Sequence, residues 1–280
     1  MWPLAAGAAG SEAADPAAAS AASVLAHCRA LIDATAEACV AVKPQLARFE
    51  ALGAPGREVL GAVAEHARAA GLLVIADGKR GDIDVTAGAY AASLFGGLET
   101  PHGRVAGLGS DLATVNPLMG RDAIEPFVRA ARDSGAGVLV LVRTSNPGAA
   151  DVQERELAGG GAVWERLAAI VDELGRVGAG GLSDVGAVIG ATAPERLQRA
   201  RELMPSAPFL LPGIGAQGGR VEDLAAAFAP GRAGGLVSAS RSIAGAHLSA
   251  GGSHETAARA EAERLRELAW ELSSRAAGVS

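Results

Sequence analysis

One short run in this 280-residue chain gathers acid, base and turn residues: Asp77-Gly-Lys79-Arg-Gly-Asp82-Ile83, with Thr86 just beyond. It closes the apolar stretch Gly71-Leu-Leu-Val-Ile-Ala, which has the length and branched apolar content of a buried strand. Alternate side chains of a strand share a face, so Asp77 and Lys79 are expected to point the same way. Asp82 follows a Gly turn, where the next helical pattern starts. Charges this crowded at a strand end are costly to desolvate unless a ligand or a reaction uses them. Alone, the run also fits a surface loop whose Asp82 caps a helix, so its surroundings must decide.

A second run, Pro212-Gly213-Ile214-Gly215-Ala216-Gln217-Gly218-Gly219, follows another apolar stretch and is expected to open a helix. Glycines let the main chain approach an anion, and a helix start adds favourable polarity. Beyond the next apolar run stands Arg241, a planar cation suited to bidentate phosphate binding. Taken singly, these read equally well as a plain turn and a surface ion pair. No G-x-x-x-x-G-K-[ST] occurs, so a nucleoside triphosphatase is not indicated.

The elements that must position these residues alternate in kind. Short apolar runs fall at Ala38–Val42, Leu72–Ala76, Leu112–Val115, Gly137–Val142, Val185–Ile189, Pro208–Leu211 and Gly235–Ala239. Helical patterns lie between them, near 55–70, 83–95, 121–134, 162–175, 194–203 and 220–229, with one more before the first run (20–37) and one at the end (254–275). Such alternation predicts βαβ units and a parallel sheet. Nearly every run ends in residues with chemical potential, among them Lys43-Pro44, Asn116-Pro117 and Arg143-Thr-Ser145-Asn-Pro-Gly. Chemistry at many strand ends favours a (β/α)8 TIM-type barrel over a doubly wound sheet. In that fold the loops after strands seven and eight usually hold phosphate, which suits Gly213 and Arg241. The count is one strand short, so the expectation is a barrel lacking its first strand in the chain as given. Open edges at the second and eighth strands would then make this chain less stable and less active than an upstream extension. Residues 1–20 are expected to form a low-complexity segment without regular structure, and 21–280 a single catalytic domain.

Composition narrows the partners. With 25 Lys and Arg against 31 Asp and Glu, the net charge is −6, and no long basic run suggests a nucleic-acid polymer. Cys28 and Cys39 share one helical stretch without C-x-x-C spacing and read as small core residues of a reducing compartment. The five histidines are scattered, so no metal site is legible. No apolar run reaches the ~18 residues that span a membrane, and the first residues lack a signal-peptide pattern. The expectation is a cytoplasmic protein without a membrane partner.

Together, Lys43, Asp77-x-Lys79-x-x-Asp82-Ile83-x-x-Thr86, Thr144-Ser145-Asn-Pro-Gly, Pro212-Gly213-Ile-Gly-Ala-Gln217 and Ser240-Arg241-Ser resemble the orotidine 5′-phosphate decarboxylases. Ala41-Val-Lys-Pro-Gln, Val115-Asn-Pro-Leu-Met-Gly and Leu141-Val-Arg-Thr-Ser-Asn-Pro resemble the bacterial branch called type 2. The likeness runs from about residue 22 to 250. It implies a barrel working as a homodimer with active sites at the subunit interface. It also implies conversion of orotidine 5′-monophosphate to UMP and CO2 in pyrimidine biosynthesis, with no metal or organic cofactor. By the same resemblance, Lys43, Asp77, Lys79 and Asp82 would be a charged tetrad, with Asp82 reaching into the partner's site alongside Ile83 and Thr86. Ser145 would meet the pyrimidine edge, and Pro212, Gly213, Gln217 and Arg241 the phosphate end of the substrate.

Three departures stand out. The strand that normally opens the family, ending in a ribose-binding Asp, has no counterpart here. Gly78 replaces the usual Ala, and Leu118 a frequent aromatic. Two rival readings remain. A Mg-dependent sugar-phosphate decarboxylase or aldolase of the same suprafamily shares Asp-x-Lys-x-x-Asp, but Lys43 would repel its ion. A non-catalytic phosphate-binding barrel would have no use for four alternating charges.

Overall fold

The strands of this chain alternate two apolar faces, and each face has its own cluster. Ile75, Leu139, Val188 and Leu210 pack together with Ala41, Leu112, Leu141 and Leu236, so all seven strands of the main sheet contribute to one concave interior. Their neighbours Val74, Ala76, Ala113, Val138, Val140 and Phe209 face the opposite way and join the larger core beneath the helices. A sheet that buries both faces and curls around its own side chains is barrel architecture.

The computed structural model describes residues 15–215 and 217–276. Helix α1 (Pro16–Thr35) begins where Asp15 accepts the Ala17 and Ala18 N–H groups at 3.0 and 3.3 Å, with Pro16 at a position that needs no intrahelical N–H. The last five residues of the segment expected to be irregular, 16–20, are therefore helical, while 1–14 lie outside the described residues. There follow β1 (Ala41–Val42), α2 (Leu46–Glu50), α3 (Gly53–Ala69), β2 (Leu73–Arg80) and α4 (Asp84–Leu94). A small antiparallel hairpin, β3 (Leu98–Thr100) and β4 (Gly103–Val105), precedes β5 (Leu112–Val115). Then come α5 (Arg121–Asp133), β6 (Gly137–Arg143), α6 (Ala149–Val152), α7 (Val163–Leu174), β7 (Val185–Ile189), α8 (Pro194–Leu203) and β8 (Phe209–Pro212). The chain continues with β9 (Gly235–Ser238), α9 (Arg241–Ala244), α10 (His247–Ala250) and α11 (His254–Ala276).

The main sheet is parallel, ordered β1-β2-β5-β6-β7-β8-β9. These are the seven expected strands. Among the described residues no pairing joins β9 to β1, so the barrel wall is open along that seam. The helices flanking it pack together: Arg259 Nε donates to the Ala34 carbonyl at 3.1 Å and an Arg266 guanidinium N–H to that of Glu37 at 3.2 Å.

One expected helix is corrected. Residues 220–229 form two 3-10 turns, Val221–Asp223 and Ala225–Phe228, rather than an α-helix. Pro230 has no N–H to give the Ala226 carbonyl, and the buried Arg201 takes the carbonyls of Ala226 and Ala227 instead. The Gly213 loop consequently does not lead into an α-helix.

Candidate active site

The interior face continues past the apolar layer into polar residues at the C-terminal mouth. Two residues beyond interior Ala41 stands Lys43; beyond Ile75, Asp77; beyond Leu112, Thr114; beyond Leu141, Arg143; beyond Leu210, Pro212. The period of the strands thus decides which side chains meet. Lys43 Nζ lies 2.6 Å from Asp77 Oδ2, and Lys79 Nζ 2.5 Å from Asp77 Oδ1. Asp77 is 6 % exposed. The Lys79 side chain is 43 % exposed and that of Lys43 only 17 %, so Lys79 is the cation open to the mouth.

Asp77 and Lys79 do meet, though not by simple alternation. Between the β2–β5 pairs Ala76↔Ala113 and Arg80↔Val115, β2 carries three residues and β5 only Thr114. This bulge holds Lys79 at φ 48°, left-handed backbone that a side chain seldom adopts. The Lys79 N–H donates to Thr114 Oγ1 at 2.9 Å, and the Thr114 hydroxyl donates to Asp77 Oδ1 at 3.1 Å. On the other side Gln45 bridges to Asp77; with its amide nitrogen turned inward it donates to the Asp77 carbonyl at 2.9 Å and to Oδ2 at 2.6 Å. Burial alone would raise the Asp77 carboxyl. The Lys43 charge, the hydrogen bonds from Lys43 and Lys79 and the Lys79 charge outweigh that, holding it below the ordinary carboxylate range.

Among the described residues Asp82, Ile83 and Thr86 make no hydrogen bond or ion pair with this group. Asp82 Oδ1 accepts the adjacent Ile83 N–H at 2.8 Å, and Ile83 and Thr86 are exposed at the start of α4. Exposed Val85 lies beside them, and Gly81 comes so close to the Asn116 carbonyl that an added Cβ would lie 2.9 Å from it. Leu118 and Met119, in the loop that follows Asn116, are also exposed.

At the ends of β6, β7 and β8 a cavity of about 520 Å³ is lined by Arg143, Ser145, Asn146, Pro147, Thr192 and Gln217, a size suited to a small ligand. Gly213, at φ 107°, lies among three of these side chains: a Cβ there would be 3.1 Å from Gln217 Oε1, 3.3 Å from Thr192 Cγ2 and 3.4 Å from Ser145 Cβ. The Thr192 hydroxyl donates to the Ser145 carbonyl at 3.3 Å. Arg143 is engaged elsewhere, its Nε 2.7 Å from Glu154, which also pairs with Arg196 at 3.1 Å. Arg241 makes no ion pair among the described residues and is exposed at the start of α9. Ser242, next to it, faces Gly215 across the Gly-rich loop.

Residues 13–255 match the sequence model of the orotidine 5′-phosphate decarboxylase / HUMPS family. The chain belongs to that family. It is 46 % identical over 222 residues to orotidine 5′-phosphate decarboxylase of Rhodopirellula baltica, covering 79 % of this chain and 72 % of that one. The Deinococcus radiodurans protein of the same name is 47 % identical over 216 residues, covering 76 % and 74 %. Among solved structures, Leishmania donovani OMP decarboxylase superposes with a TM-score of 0.72 at 33 % identity, over 90 % of this chain and 89 % of that one.

Two residues that touch Asp77 escaped the sequence reading. Thr114 is the one polar side chain of β5, and Gln45 shares the parity of Lys43. Both signals are present, but neither says which carboxylate the side chain will meet.

Proposed function

We propose that the protein decarboxylates orotidine 5′-monophosphate to UMP and CO2 in pyrimidine biosynthesis, with residues 21–280 as one catalytic domain. The observation that carries this reading is the Lys43–Asp77–Lys79 array at the barrel mouth. The ring's C6 carboxylate would lie beside Asp77; two unit charges 4 Å apart repel by about 4 kcal/mol at an effective dielectric of 20. Breaking the C6–carboxylate bond releases neutral CO2 and leaves the electron pair on C6. The Lys79 ammonium stabilises that pair and then gives C6 a proton, which Lys79 regains from solvent. Ser145 would meet the pyrimidine, while Pro212, Gly213, Gln217 and Arg241 would hold the phosphate end. Binding energy from the phosphate organises the site around a ring it does not touch. The aldolase reading is disfavoured because the Lys43 ammonium stands beside Asp77, where a Mg²⁺ ligand would be needed.

We further propose a cytoplasmic homodimer in which Asp82, Ile83 and Thr86 complete the partner's site. That Asp82 makes no hydrogen bond or ion pair with the Lys43–Asp77–Lys79 group among the described residues supports this, as do the exposed apolar side chains of Ile83 and Val85 beside it. Among the described residues no helix is long and apolar enough to cross a membrane.

The test is loss of orotidine monophosphate absorbance without added metal. Lys79→Ala is expected to lower turnover by about 10³-fold while UMP still binds. Lys79→Ala and Asp82→Ala chains, each inactive alone, are then mixed under exchanging conditions. If Asp82 acts across the interface, about a quarter of the sites become fully wild type, since half of randomly paired dimers are mixed and each has one intact site. No recovery would place Asp82 in its own chain's site, and full turnover by Lys79→Ala would remove Lys79 from the chemistry.

A further inference from the structure

We propose that Thr114 is a positioning residue that locks the Asp77 carboxylate in place against the substrate's carboxylate. The inference rests on the decarboxylase reading above and adds to it a device that keeps Asp77 from yielding.

Thr114 is 1 % exposed, and its hydroxyl has one hydrogen to give. Because Oγ1 accepts the Lys79 N–H at 2.9 Å, the hydrogen is free for Asp77 Oδ1 at 3.1 Å. A single hydroxyl therefore ties the left-handed backbone of Lys79 to the carboxylate that the Lys79 ammonium also touches. Without it, the Lys79 N–H inside the bulge would lose its partner, because β5 offers no other residue opposite those three.

The Asp77 carboxylate shares its lone pairs among four donors. Oδ1 accepts from Lys79 Nζ and Thr114; Oδ2 accepts from Lys43 Nζ and the Gln45 amide. A carboxylate offers about four acceptor sites, and all are filled by donors from three different stretches of chain. Asp77 has no vacant lone pair to take up a proton and cannot rotate without breaking bonds on both oxygens. Repulsion between two carboxylates can favour reaction only if neither can relax away from the other. Thr114 and Gln45, the neutral donors among the four, hold Asp77 in that state.

Thr114→Val keeps shape and burial and removes the hydroxyl; Thr114→Ser keeps the hydroxyl. For Thr114→Val, kcat is expected to fall about 10- to 100-fold, the range of a lost hydrogen bond to a charged group, while the UMP dissociation constant stays within a few-fold of wild type. The acid limb of its kcat–pH profile should move up by about one unit, because a carboxylate with one donor fewer takes up a proton more readily. Thr114→Ser should restore both readouts. Wild-type kcat and pH profile in Thr114→Val would overturn the inference. So would a parallel loss of kcat, UMP affinity and thermal stability that Thr114→Ser does not rescue. If Thr114→Val does not fold, Gln45→Met reads the same property from the other oxygen, and an unmoved acid limb there overturns the inference equally. Wild-type turnover is the control: a folded wild-type protein inert toward orotidine monophosphate defeats the decarboxylase reading and this inference with it, whereas active wild type with an unaltered Thr114→Val defeats the inference alone.

Discussion

Arg143 and Arg241 both stand at the mouth, and their surroundings give them different work. Arg143 spends its charge on Glu154, stiffening the loop that presents Ser145. Arg241 has no carboxylate partner among the described residues and lies next to the segment that faces the Gly-rich loop. Arg241→Ala should therefore lower kcat/KM for orotidine 5′-monophosphate by about 10- to 100-fold, the range of a charge-assisted hydrogen-bond loss. Orotidine lacking its phosphate should be processed about equally by wild type and variant. Steady-state kinetics with both substrates checks this, and equal losses on both would make Arg241 a structural residue. At this scale the sequence was informative about chemistry and silent about pairing. Lys43, Asp77 and Lys79 could be named because acids and bases at strand ends are conspicuous. Thr114 and Gln45 could not, because a threonine in a strand and a glutamine after a proline look ordinary until register sets them opposite Asp77.

Among the elements, the segment between β8 and β9 shows most clearly where local pattern stops being sufficient. Its Ala-rich run has helical composition, yet it folds as 3-10 turns around the Arg201 guanidinium. That group donates at 2.8 Å to the carbonyls of Met204, Ala207 and Ala227 and stacks 3.8 Å over the Phe209 ring. Burial lowers the Arg201 pKa to about 10, still well above neutrality. One side chain of α8 thus supplies the hydrogen bonds that a helix would have supplied to itself, and no window of sequence around residue 225 contains it. Arg201→Met should destabilise the protein by about 3 kcal/mol or more, since several buried carbonyls lose their donor together. Arg201→Lys should recover little, because an ammonium cannot reach so many acceptors in one plane. Denaturant unfolding of the three proteins measures both, and a Lys variant as stable as wild type would contradict the account. The bulge in β2 escaped prediction for a related reason. Strand period was legible in Gly71–Ala76, but the three-against-one mismatch depends on β5, which lies more than thirty residues away.

For the molecule as a whole, the joint between α1 and α11 carries a pH sensitivity. His27 of α1 stacks on His254 of α11 with ring centroids 5.6 Å apart, and His247 meets His254 edge-on at 6.2 Å. His27 Nδ1, His247 Nδ1 and His254 Nε2 are buried without hydrogen-bond partners among the described residues. Burial, reinforced by His254 and His247, lowers the His27 pKa below the ordinary imidazole value. The folded state therefore binds fewer protons than the unfolded chain over the interval between the two pKa values. Stability is full above the unfolded value of about 6.5 and falls as pH drops through the folded one. Thermal unfolding should show a larger loss between neutral pH and pH 5.5 in wild type than in His27→Leu; identical slopes would exclude His27 as the cause.

The order of the main sheet has another consequence, for the way the protein is made. Every strand of β1-β2-β5-β6-β7-β8-β9 pairs with the one that precedes it in that sheet. A chain leaving the ribosome at roughly 5–20 residues per second can lay each strand against one already synthesised, waiting for nothing downstream. The clasp of α1 to α11 breaks this rule, with hydrogen bonds spanning 225 and 229 residues. A nascent chain halted just before His254 would hold Lys43, Asp77, Lys79 and Arg241 but leave uncovered the face of α1 that α11 packs on. Such an intermediate would carry its own chain's share of the site while still showing a bare helix face to a chaperone.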